Sequence, residues 1–384
     1  MDFELTDEQQ RIRDSVRELC QDFPDAYWRE LDKDRSYPEK FLRAMLDSGW
    51  LGVLIPAKYG GKGLGMMEAA VIIEEISRSG GNAISCHAQI YNLVMLLRHG
   101  SEAQKDAYLP RIAAGELRFL AFGLTEHEAG LNSSRIATTA VRDGDSYVIN
   151  GSKNWLSRIQ HSDLLLLIAR TTPYERAEKR TRGLSAFLVE LPADGIDVVP
   201  VPTMMNIETN EVTFHDLRVP AENLVGEEGG AFRYILSGVN GDRIAASSAA
   251  IGDARWLIDK ATAYANERVV FDRPIGQNQA VQFPIAHAYA ATEAASLVRY
   301  QAASRYDRGE DPGAAANVAK LLSSEASREA ADAAMATHGG YAFATSYDIE
   351  RKFRETRLFL NAPGSNNLIL SYLGQHVLGM PRSF

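Results

Sequence analysis

Helix-like and strand-like patterns are segregated along this chain, and this order constrains its fold more than any other feature. Residues up to about 117 and residues after Gly229 show the apolar spacing of helices, whereas Leu120 to Pro220 contains short apolar or alternating runs. A parallel α/β fold would instead alternate its strands with helices. The sequence therefore predicts a mainly helical α+β protein, with an N-terminal helical domain (1–117), a middle β-barrel or sandwich domain (118–226) and a C-terminal four-helix bundle (227–384).

The first region carries clear helix signals. Thr6 and Gln9 have the spacing of a capping box, in which each side chain accepts a hydrogen bond from the backbone N–H of the other residue. Helices are predicted between Pro38 and Gly49, over Met66–Arg78 and over Ser85–Leu97. The glycine-rich stretch 60–63 lacks the arrangement of a P-loop, so we interpret it as an ordinary loop.

The middle region has the alternation and turn residues of β structure. Asp143-Gly144 and Asn150-Gly151 are typical of tight turns between strands. The predicted strands are Thr138–Val141, Tyr147–Ile149, Leu164–Ala169, Leu184–Glu190, Ile196–Val201 and Glu211–Phe214. The alanine-rich last region predicts four helices joined by short links, over Phe232–Arg268, Gln277–Arg308, Ala314–Thr337 and Tyr347–Arg357.

Charge and cysteine usage narrow the class of partners. The 384-residue chain has a formal net charge of -9, which disfavours a nucleic-acid-binding surface. Its two cysteines, Cys20 and Cys86, belong to no CxxC pair or Cys/His cluster, so we expect no disulfide, no metal site and a cytoplasmic location. We also expect no signal peptide at residues 1–4 and no membrane span, since the purest apolar run, Leu164–Ile168, is too short.

Paired motifs in each half of the chain carry a resemblance to a known family. In chain order they are Leu124-Thr125-Glu126-His127-Glu128-Ala129-Gly130-Leu131 with Asn150-Gly151-Ser152-Lys153-Asn154-Trp155-Leu156-Ser157, then Arg268-Val269-Val270-Phe271 with Gln279-Ala280-Val281-Gln282-Phe283, then His338-Gly339-Gly340 with Arg351-Lys352-Phe353-Arg354. In order and spacing, over nearly the whole chain, they resemble the motifs of the acyl-CoA dehydrogenases.

The resemblance implies a flavoenzyme of acyl-CoA metabolism that binds FAD in extended form between the β domain and the bundle. An isoalloxazine ring needs a flat apolar wall and donors at its polar edge, which the indole of Trp155 and the hydroxyls of Thr125 and Ser157 would supply. The cofactor-binding residues implied in this way are Phe122, Leu124, Thr125, Gly130, Leu131, Trp155, Ser157, Arg268, Phe271, Gln279, Gly339, Gly340, Ser365 and Asn367.

Subunit assembly follows from the same resemblance. In the family, the arginine at position 268 reaches the FAD pyrophosphate of a neighbouring subunit, which implies a homotetramer built as a pair of dimers. Taken singly, these residues also fit plainer roles: Trp155 a core aromatic, Arg268 a solvated cation at a helix end, and Gly339-Gly340 a helix cap.

The catalytic base of most of the family is missing from its expected position. That base is a glutamate near the start of the last helix, where this chain has Pro363. One branch of the family carries the base on the first bundle helix, immediately before an arginine, and the matching pair here is Asp242-Arg243. The resemblance thus implies Asp242 as base, one methylene shorter than glutamate, and Asn240 and Arg243 as substrate-binding residues. The alternative is a helix-surface ion pair between Asp242 and an arginine one turn away.

The middle motif also departs from the family pattern. His127, Glu128, Leu131 and Asn132 replace the usual Pro, Gly, Ser and Asp. Leu131 removes a hydroxyl that commonly meets substrate or pyrophosphate, and Glu128 adds an anion where phosphates normally bind. FAD is therefore better supported than the CoA arm, and the thioester carrier stays open.

Three functions remain at this point. The leading one is α,β-dehydrogenation of an acyl-CoA or another acyl thioester, or the reverse reduction, with electron-transferring flavoprotein as the acceptor that the resemblance implies. The second keeps the flavin but changes the chemistry to a monooxygenase or desulfinase type. The third is a catalytically silent subunit that completes a partner's FAD site in a hetero-oligomer.

Overall fold

A computed structural model describes residues 4–382, so the first three residues, part of the stretch in which no signal peptide is expected, lie outside it. The chain divides into two compact units. The helical unit comprises residues 4–41, Gly65–His87 and 240–382, and the sheet unit comprises Leu42–Leu64 and Ala88–Val239. Among the described residues, no helix combines the length and apolar composition needed to cross a membrane.

The N-terminal region is helical, as predicted. Its helices are α1 (Asp7–Gln21), α2 (Asp25–Asp34), α3 (Glu39–Asp47), α4 (Met66–Arg78), α5 (Ile84–His99) and α6 (Glu102–Ala113). The capping box that starts α1 is confirmed: the Gln9 backbone N–H donates to Thr6 Oγ1 at 3.2 Å, and the Thr6 N–H donates to Gln9 Oε1 at 3.1 Å. Helix α4 has the predicted bounds, and α5 is slightly longer at both ends than predicted.

The sheet unit contains a sheet of strand order β6-β7-β3-β2-β4-β5-β8, with β1 paired to β4 in parallel. Its strands are β1 (Ala121–Gly123), β2 (Thr139–Asp143), β3 (Ser146–Ser157), β4 (Leu164–Arg170), β5 (Leu184–Glu190), β6 (Ile196–Pro200), β7 (Thr209–Pro220) and β8 (Leu224–Val225). Alternate residues of β4 and β5 bury apolar side chains in two separate cores on the two faces of the sheet.

The predicted turn at Asn150-Gly151 is wrong, because β3 runs straight through it. At this point β7 contains a bulge, because two steps along β3, from Ile149 to Gly151, face three steps along β7, from Leu217 to Phe214. Gly151 has φ 141, and a Cβ there would lie 2.7 Å from the Cα of Thr138, so glycine is required by close packing and not by a chain reversal. The Asn150 side chain instead donates to Asp216 Oδ1 on β7 at 2.9 Å.

The last region contains α7 (Ala231–Glu267), the hairpin β9 (Val269–Val270) and β10 (Arg273–Pro274), then α8 (Gln279–Asp307), α9 (Gly313–His338), α10 (Ile349–Thr356) and α11 (Asn366–Tyr372). Alanines such as Ala288, Ala330 and Ala334 are buried where these helices meet, because small side chains let helix backbones approach closely. The fourth predicted helix forms as α10 and is shorter than predicted.

A buried carboxylate in the helical unit is paired with two arginines. Glu74 of α4 is 1% exposed, and its two carboxylate oxygens each lie 2.6 Å from an arginine, Arg255 of α7 and Arg299 of α8. Burying a carboxylate is costly unless it is paired and hydrogen-bonded in this way. The pairing fixes α4 against the bundle helices.

Candidate active site

The sheet unit holds Trp155 in an unusual backbone conformation. Trp155 has φ 58, at a register irregularity of β3 against β7 between Lys153 and Leu156. A residue other than glycine in this region costs about 1–2 kcal/mol, and such strain concentrates at functional sites. The irregularity turns the indole outward, and the residue is 57% exposed. Trp155 is therefore not a core aromatic.

Hydrogen bonds from β3 fix the segment that follows β1. The Asn154 backbone N–H donates to the carbonyl of Thr125 at 2.8 Å, and Lys153 Nζ donates to the carbonyl of Leu124 at 3.0 Å. These bonds place Thr125 beside Trp155. Within residues 4–382, the hydroxyls of Thr125 and Ser157 have no hydrogen-bond partner, and both residues are half-buried. They are available as donors to a ligand.

A buried ion pair supports the segment that presents Trp155. Lys153 Nζ lies 2.7 Å from Glu126 Oε1, and the Lys153 side chain is fully buried. Glu126 also accepts from the hydroxyl of Thr138 at 2.6 Å and the backbone N–H of Ala137 at 2.7 Å. Burial lowers the pKa of Lys153 to about 8. Burial alone would raise the pKa of Glu126, but Lys153 and the N–H donor of Ala137 lower it below its usual value.

The remaining candidates of the sheet unit lie around this segment. Phe122 is half-buried in β1, with its ring centroid 5.9 Å from that of Tyr91. Leu131 is 61% exposed, and a Cβ on Gly130 would meet no atom within 4 Å, so both face open space. His127, which replaces the family's proline, lies 3.2 Å from Glu211.

In the helical unit, Arg268 and the two glycines lie around a cluster of aromatic rings. The Arg268 guanidinium lies 5.8 Å from the ring centroid of Tyr341, and Tyr264 stacks on His338 at 4.2 Å. In the sequence, Gly339 and Gly340 lie between His338 and Tyr341, and a Cβ placed on either glycine would have no atom within 4 Å. Such bare backbone leaves room for close approach of a ligand.

Two further candidates lie close to Arg268 in sequence. Phe271, in the β9–β10 turn, is 94% exposed. Gln279 is exposed at the first position of α8. The hairpin is tied to that helix start by a 2.9 Å hydrogen bond from Arg273 to the Asn278 side chain.

Asp242, on α7, lies beside a histidine. His87 Nε2, on α5, is 2.7 Å from Asp242 Oδ1 and 3.3 Å from the Asp242 backbone carbonyl oxygen, and only the second contact has hydrogen-bond alignment. The Asp242 side chain is 17% exposed. The predicted alternative, a surface ion pair with an arginine one turn away, is therefore wrong, because the side chain turns inward toward α5.

Two cations, the half-buried Arg243 and the buried Lys320, stand near Asp242. Arg243 Nη1 donates to Asn240 Oδ1 at 3.4 Å, which brings the two predicted substrate-binding residues together. Lys320 of α9 is 1% exposed and donates to the Gly364 carbonyl at 2.8 Å and to Asn366 Oδ1 at 2.9 Å. Burial lowers the pKa of both cations, that of Lys320 to about 8.

The segment around Pro363 joins this cluster. Arg243 Nη2 lies 3.8 Å from where a Cβ of Gly364 would stand. The Ser365 hydroxyl accepts from the Leu368 backbone N–H at 3.3 Å as the N-cap of α11, so it also has a structural role. Asn367 is exposed. Asp242 and the position of the missing glutamate therefore border one polar cluster of the helical unit.

Three consecutive family models cover most of the chain: acyl-CoA dehydrogenase, N-terminal domain, over residues 6–116, the middle domain over 121–217, and the C-terminal domain over 229–378. This chain belongs to the acyl-CoA dehydrogenase family. It is an FAD-dependent flavoenzyme acting on the CH–CH bond of acyl-CoA thioesters, as the family is. The predicted family, three-domain fold, enzyme class and cofactor are confirmed.

Relatives within the acyl-CoA dehydrogenase family match along nearly their full length. Acyl-CoA dehydrogenase fadE12 of Mycobacterium bovis is 32% identical over 99% of this chain and 98% of its own. Acryloyl-CoA reductase (NADH) of Anaerotignum propionicum is 33% identical over 93% of this chain and 91% of its own. In a solved structure described as the electron transferring flavoprotein of Acidaminococcus fermentans, one chain is 32% identical, with a TM-score of 0.93 over 98% of this chain and 100% of that one.

Sequence reasoning missed two residues of this acyl-CoA dehydrogenase-like site. His87 and Lys320 lie in helices that the sequence predicts, but no spacing links either of them to Asp242. For Lys320 a signal was available, because this lysine lies within a run of alanines and serines that predicts a packed helix face. A lysine is almost never buried on such a face unless it has a polar partner. For His87 the sequence offers no comparable signal.

Proposed function

We propose that Asp242 is the base that removes the α-proton of the acyl thioester. The observation that carries this proposal is the inward-facing carboxylate of Asp242, among Arg243, Lys320 and His87, in the same cluster as the Pro363 segment. Pro363 has no group that accepts a proton. As the C–H bond breaks, a carboxylate oxygen takes the proton and the electron pair forms the α,β double bond. FAD, when bound, supplies the acceptor of the β-hydride.

Substrate orientation follows from the neighbours of this base. Asn240 and Arg243, joined by their 3.4 Å contact, hold the acyl thioester against Asp242. A fixed position is required because general-base catalysis tolerates little slack between the carboxylate and the α-carbon. The polar cluster keeps these groups in place through Lys320 and the backbone of residues 363–367.

We propose the FAD contacts in two groups. Trp155 forms the flat wall for the ring and the hydroxyls of Thr125 and Ser157 donate to its polar edge, which their lack of other partners supports. The further FAD contacts that we propose are Phe122, Leu124, Gly130 and Leu131 of the sheet unit, and Ser365 and Asn367 of the helical unit. A neighbouring subunit's flavin is contacted by Arg268, Phe271, Gln279, Gly339 and Gly340. A guanidinium suits the pyrophosphate there, because charge-assisted bonds to phosphate are strong.

We propose a homotetramer, a pair of dimers, with the predicted domain bounds of 1–117, 118–226 and 227–384. Large apolar side chains exposed on α8 and the β9–β10 turn support assembly: Phe271 is 94%, Phe283 60%, Tyr289 57% and Leu297 50% exposed. Exposed apolar patches of this kind mark interfaces between proteins. Light scattering should give the mass of four 42.3 kDa chains. A monomeric mass would contradict the proposed contacts with the flavin of a neighbouring subunit.

We propose a cytoplasmic location and electron-transferring flavoprotein as the acceptor. The second candidate direction is reduction of an enoyl thioester, which the similarity to acryloyl-CoA reductase (NADH) favours. Anaerobic assays separate the two directions: a saturated acyl-CoA should reduce the bound flavin, and dithionite-reduced enzyme should be reoxidised by an enoyl-CoA if reduction is the physiological direction.

The experiment that tests the proposed function is the absorbance spectrum of the purified protein. We expect bound FAD and anaerobic bleaching by members of a panel of acyl-CoAs or acyl-carrier thioesters. A colourless protein that does not take up FAD would support the silent subunit instead. Turnover only with NADH, a reductase and oxygen would support the monooxygenase chemistry, in which Asp242 has no required role.

A further inference from the structure

We infer that His87 is a positioning residue for Asp242, holding one carboxylate oxygen so that the other faces the α-carbon of the substrate. This inference rests on the proposed role of Asp242 as the base. It adds a residue from α5, a helix that contributes none of the residues implied by the family resemblance.

The geometry restricts what His87 does. Its Nε2 lies 2.7 Å from Asp242 Oδ1 and donates to the Asp242 backbone carbonyl at 3.3 Å. Asp242 Oδ1 is buried, so the 17% of the side chain that stays exposed lies outside that oxygen. His87 itself is 9% exposed. One oxygen is thus enclosed beside the imidazole, and the other is left for a ligand.

The chemistry of the pair assigns the proton on the ring. An ionised carboxylate only accepts hydrogen bonds, so the imidazole nitrogen that faces it must carry a hydrogen. His87 then donates and takes no proton from the substrate: the α-proton goes to Asp242 Oδ2. The short contact to Oδ1 is not yet aligned as a hydrogen bond, and catalytic contacts commonly tighten once substrate is bound.

An aspartate base needs a positioning residue more than a glutamate base does. Aspartate places its carboxylate one methylene closer to α7 than glutamate would, so it has less freedom to reach the α-carbon. Arg243 and Lys320 attract the same carboxylate, and without a fixed partner they would draw it away from the substrate. Misplacement by about 1 Å costs on the order of a hundredfold in rate.

The test separates proton abstraction from hydride transfer. A 3-thia-acyl-CoA carries sulfur at the β-position and has no β-hydride to give, so its α-hydrogen exchange into D2O, followed by mass spectrometry, reports the base alone. We expect His87→Ala and His87→Leu to slow this exchange about tenfold to a hundredfold, with the half-saturating thioester concentration and FAD content unchanged. His87→Gln, which restores a donor, should recover part of the rate.

The matched control is His215→Ala. His215 Nε2 lies 3.1 Å from Asp197 Oδ2, and both side chains are exposed on the sheet unit, so this variant removes the same kind of pair from a surface position. Its exchange rate should equal that of the wild type. His87→Leu keeps the volume inside α5 and serves if the alanine variant does not fold.

Wild-type exchange in both His87→Ala and His87→Leu overturns the positioning role and leaves the proposed base intact, provided that Asp242→Asn has lost exchange. The positioning role is also overturned if the exchange rate of the His87 variants falls only in proportion to the fraction of protein that is folded or loaded with FAD, as measured by thermal unfolding and flavin absorbance. Such a result would show a structural role for His87. Absence of exchange and bleaching in the wild type with every thioester removes the proposed function and, with it, this inference.

Discussion

In the sheet unit, the segment that presents Trp155 is supported by a lysine whose charge is matched by a carboxylate, Lys153 with Glu126. In the helical unit, the hydrogen-bond partners of the buried Lys320 within residues 4–382 are two carbonyl oxygens. Burial lowers the pKa of both lysines to about 8. The charges of the first region are therefore matched without a ligand, whereas in the second region Asp242 is the carboxylate that interacts with two cations, the half-buried Arg243 and the buried Lys320.

This difference matches the two roles that we propose for these regions. A wall for a planar cofactor has to be rigid before the cofactor arrives, and an internal ion pair with a strained, bulged strand provides that rigidity. A site that handles a transferred proton needs groups that respond to the charge of the substrate. Changes in the first region should therefore affect folding and flavin binding, and changes in the second should affect the reaction.

The largest effect is expected for Lys153→Met. Removal of the ammonium leaves Glu126 buried without its cation, which costs about 3–5 kcal/mol. Urea unfolding at neutral pH should show this loss, together with weaker FAD retention. The double variant Lys153→Met/Glu126→Gln should recover part of it, because no unpaired charge remains. Lys179→Met, at an exposed position, should change the free energy of unfolding by less than about 0.5 kcal/mol; an equally small change for Lys153→Met would contradict the comparison.

Trp155 tests strain and cofactor contact separately. Both Trp155→Ala and Trp155→Gly remove the indole wall and should weaken FAD binding about tenfold, or about 1.4 kcal/mol. Only glycine relieves the positive φ, so the free energy of unfolding of the FAD-free glycine variant should exceed that of the alanine variant by about 1 kcal/mol. Equal stability of the two variants would mean that the backbone relaxes when the indole is removed.

A smaller effect is expected for Lys320 and appears as a pH dependence. Its pKa is about 8 in the folded protein and 10.5 when unperturbed. Between these values the unfolded chain binds more protons, so the Lys320 contribution to the free energy of unfolding rises with pH. In urea unfolding at about pH 7.5 and about pH 10, the difference between wild type and Lys320→Met should shift in favour of the wild type at the higher pH. A constant difference would show that Lys320 does not titrate in this window.

The sequence was informative where structure is local. Glycine and proline punctuation predicted the bounds of α4, because neighbouring residues in the chain determine where a helix begins and ends. The role of Trp155 and Ser157 in flavin binding stays a prediction. The turn predicted at Asn150-Gly151 failed because pairing with β7 outside that segment kept the strand extended. His87 was missed because its contact with Asp242, 155 residues away in sequence, exists only in the folded chain.

The separation of cofactor binding from proton abstraction is tested most directly by measuring FAD content and anaerobic flavin reduction by an acyl-CoA in Asp242→Asn and Trp155→Ala side by side. Asp242→Asn should retain the FAD content of the wild type and lose reduction by about 10²–10⁴-fold, whereas Trp155→Ala should lose FAD while its remaining flavin is still reduced. Reduction at the wild-type rate in Asp242→Asn would contradict the assignment of Asp242 as the base.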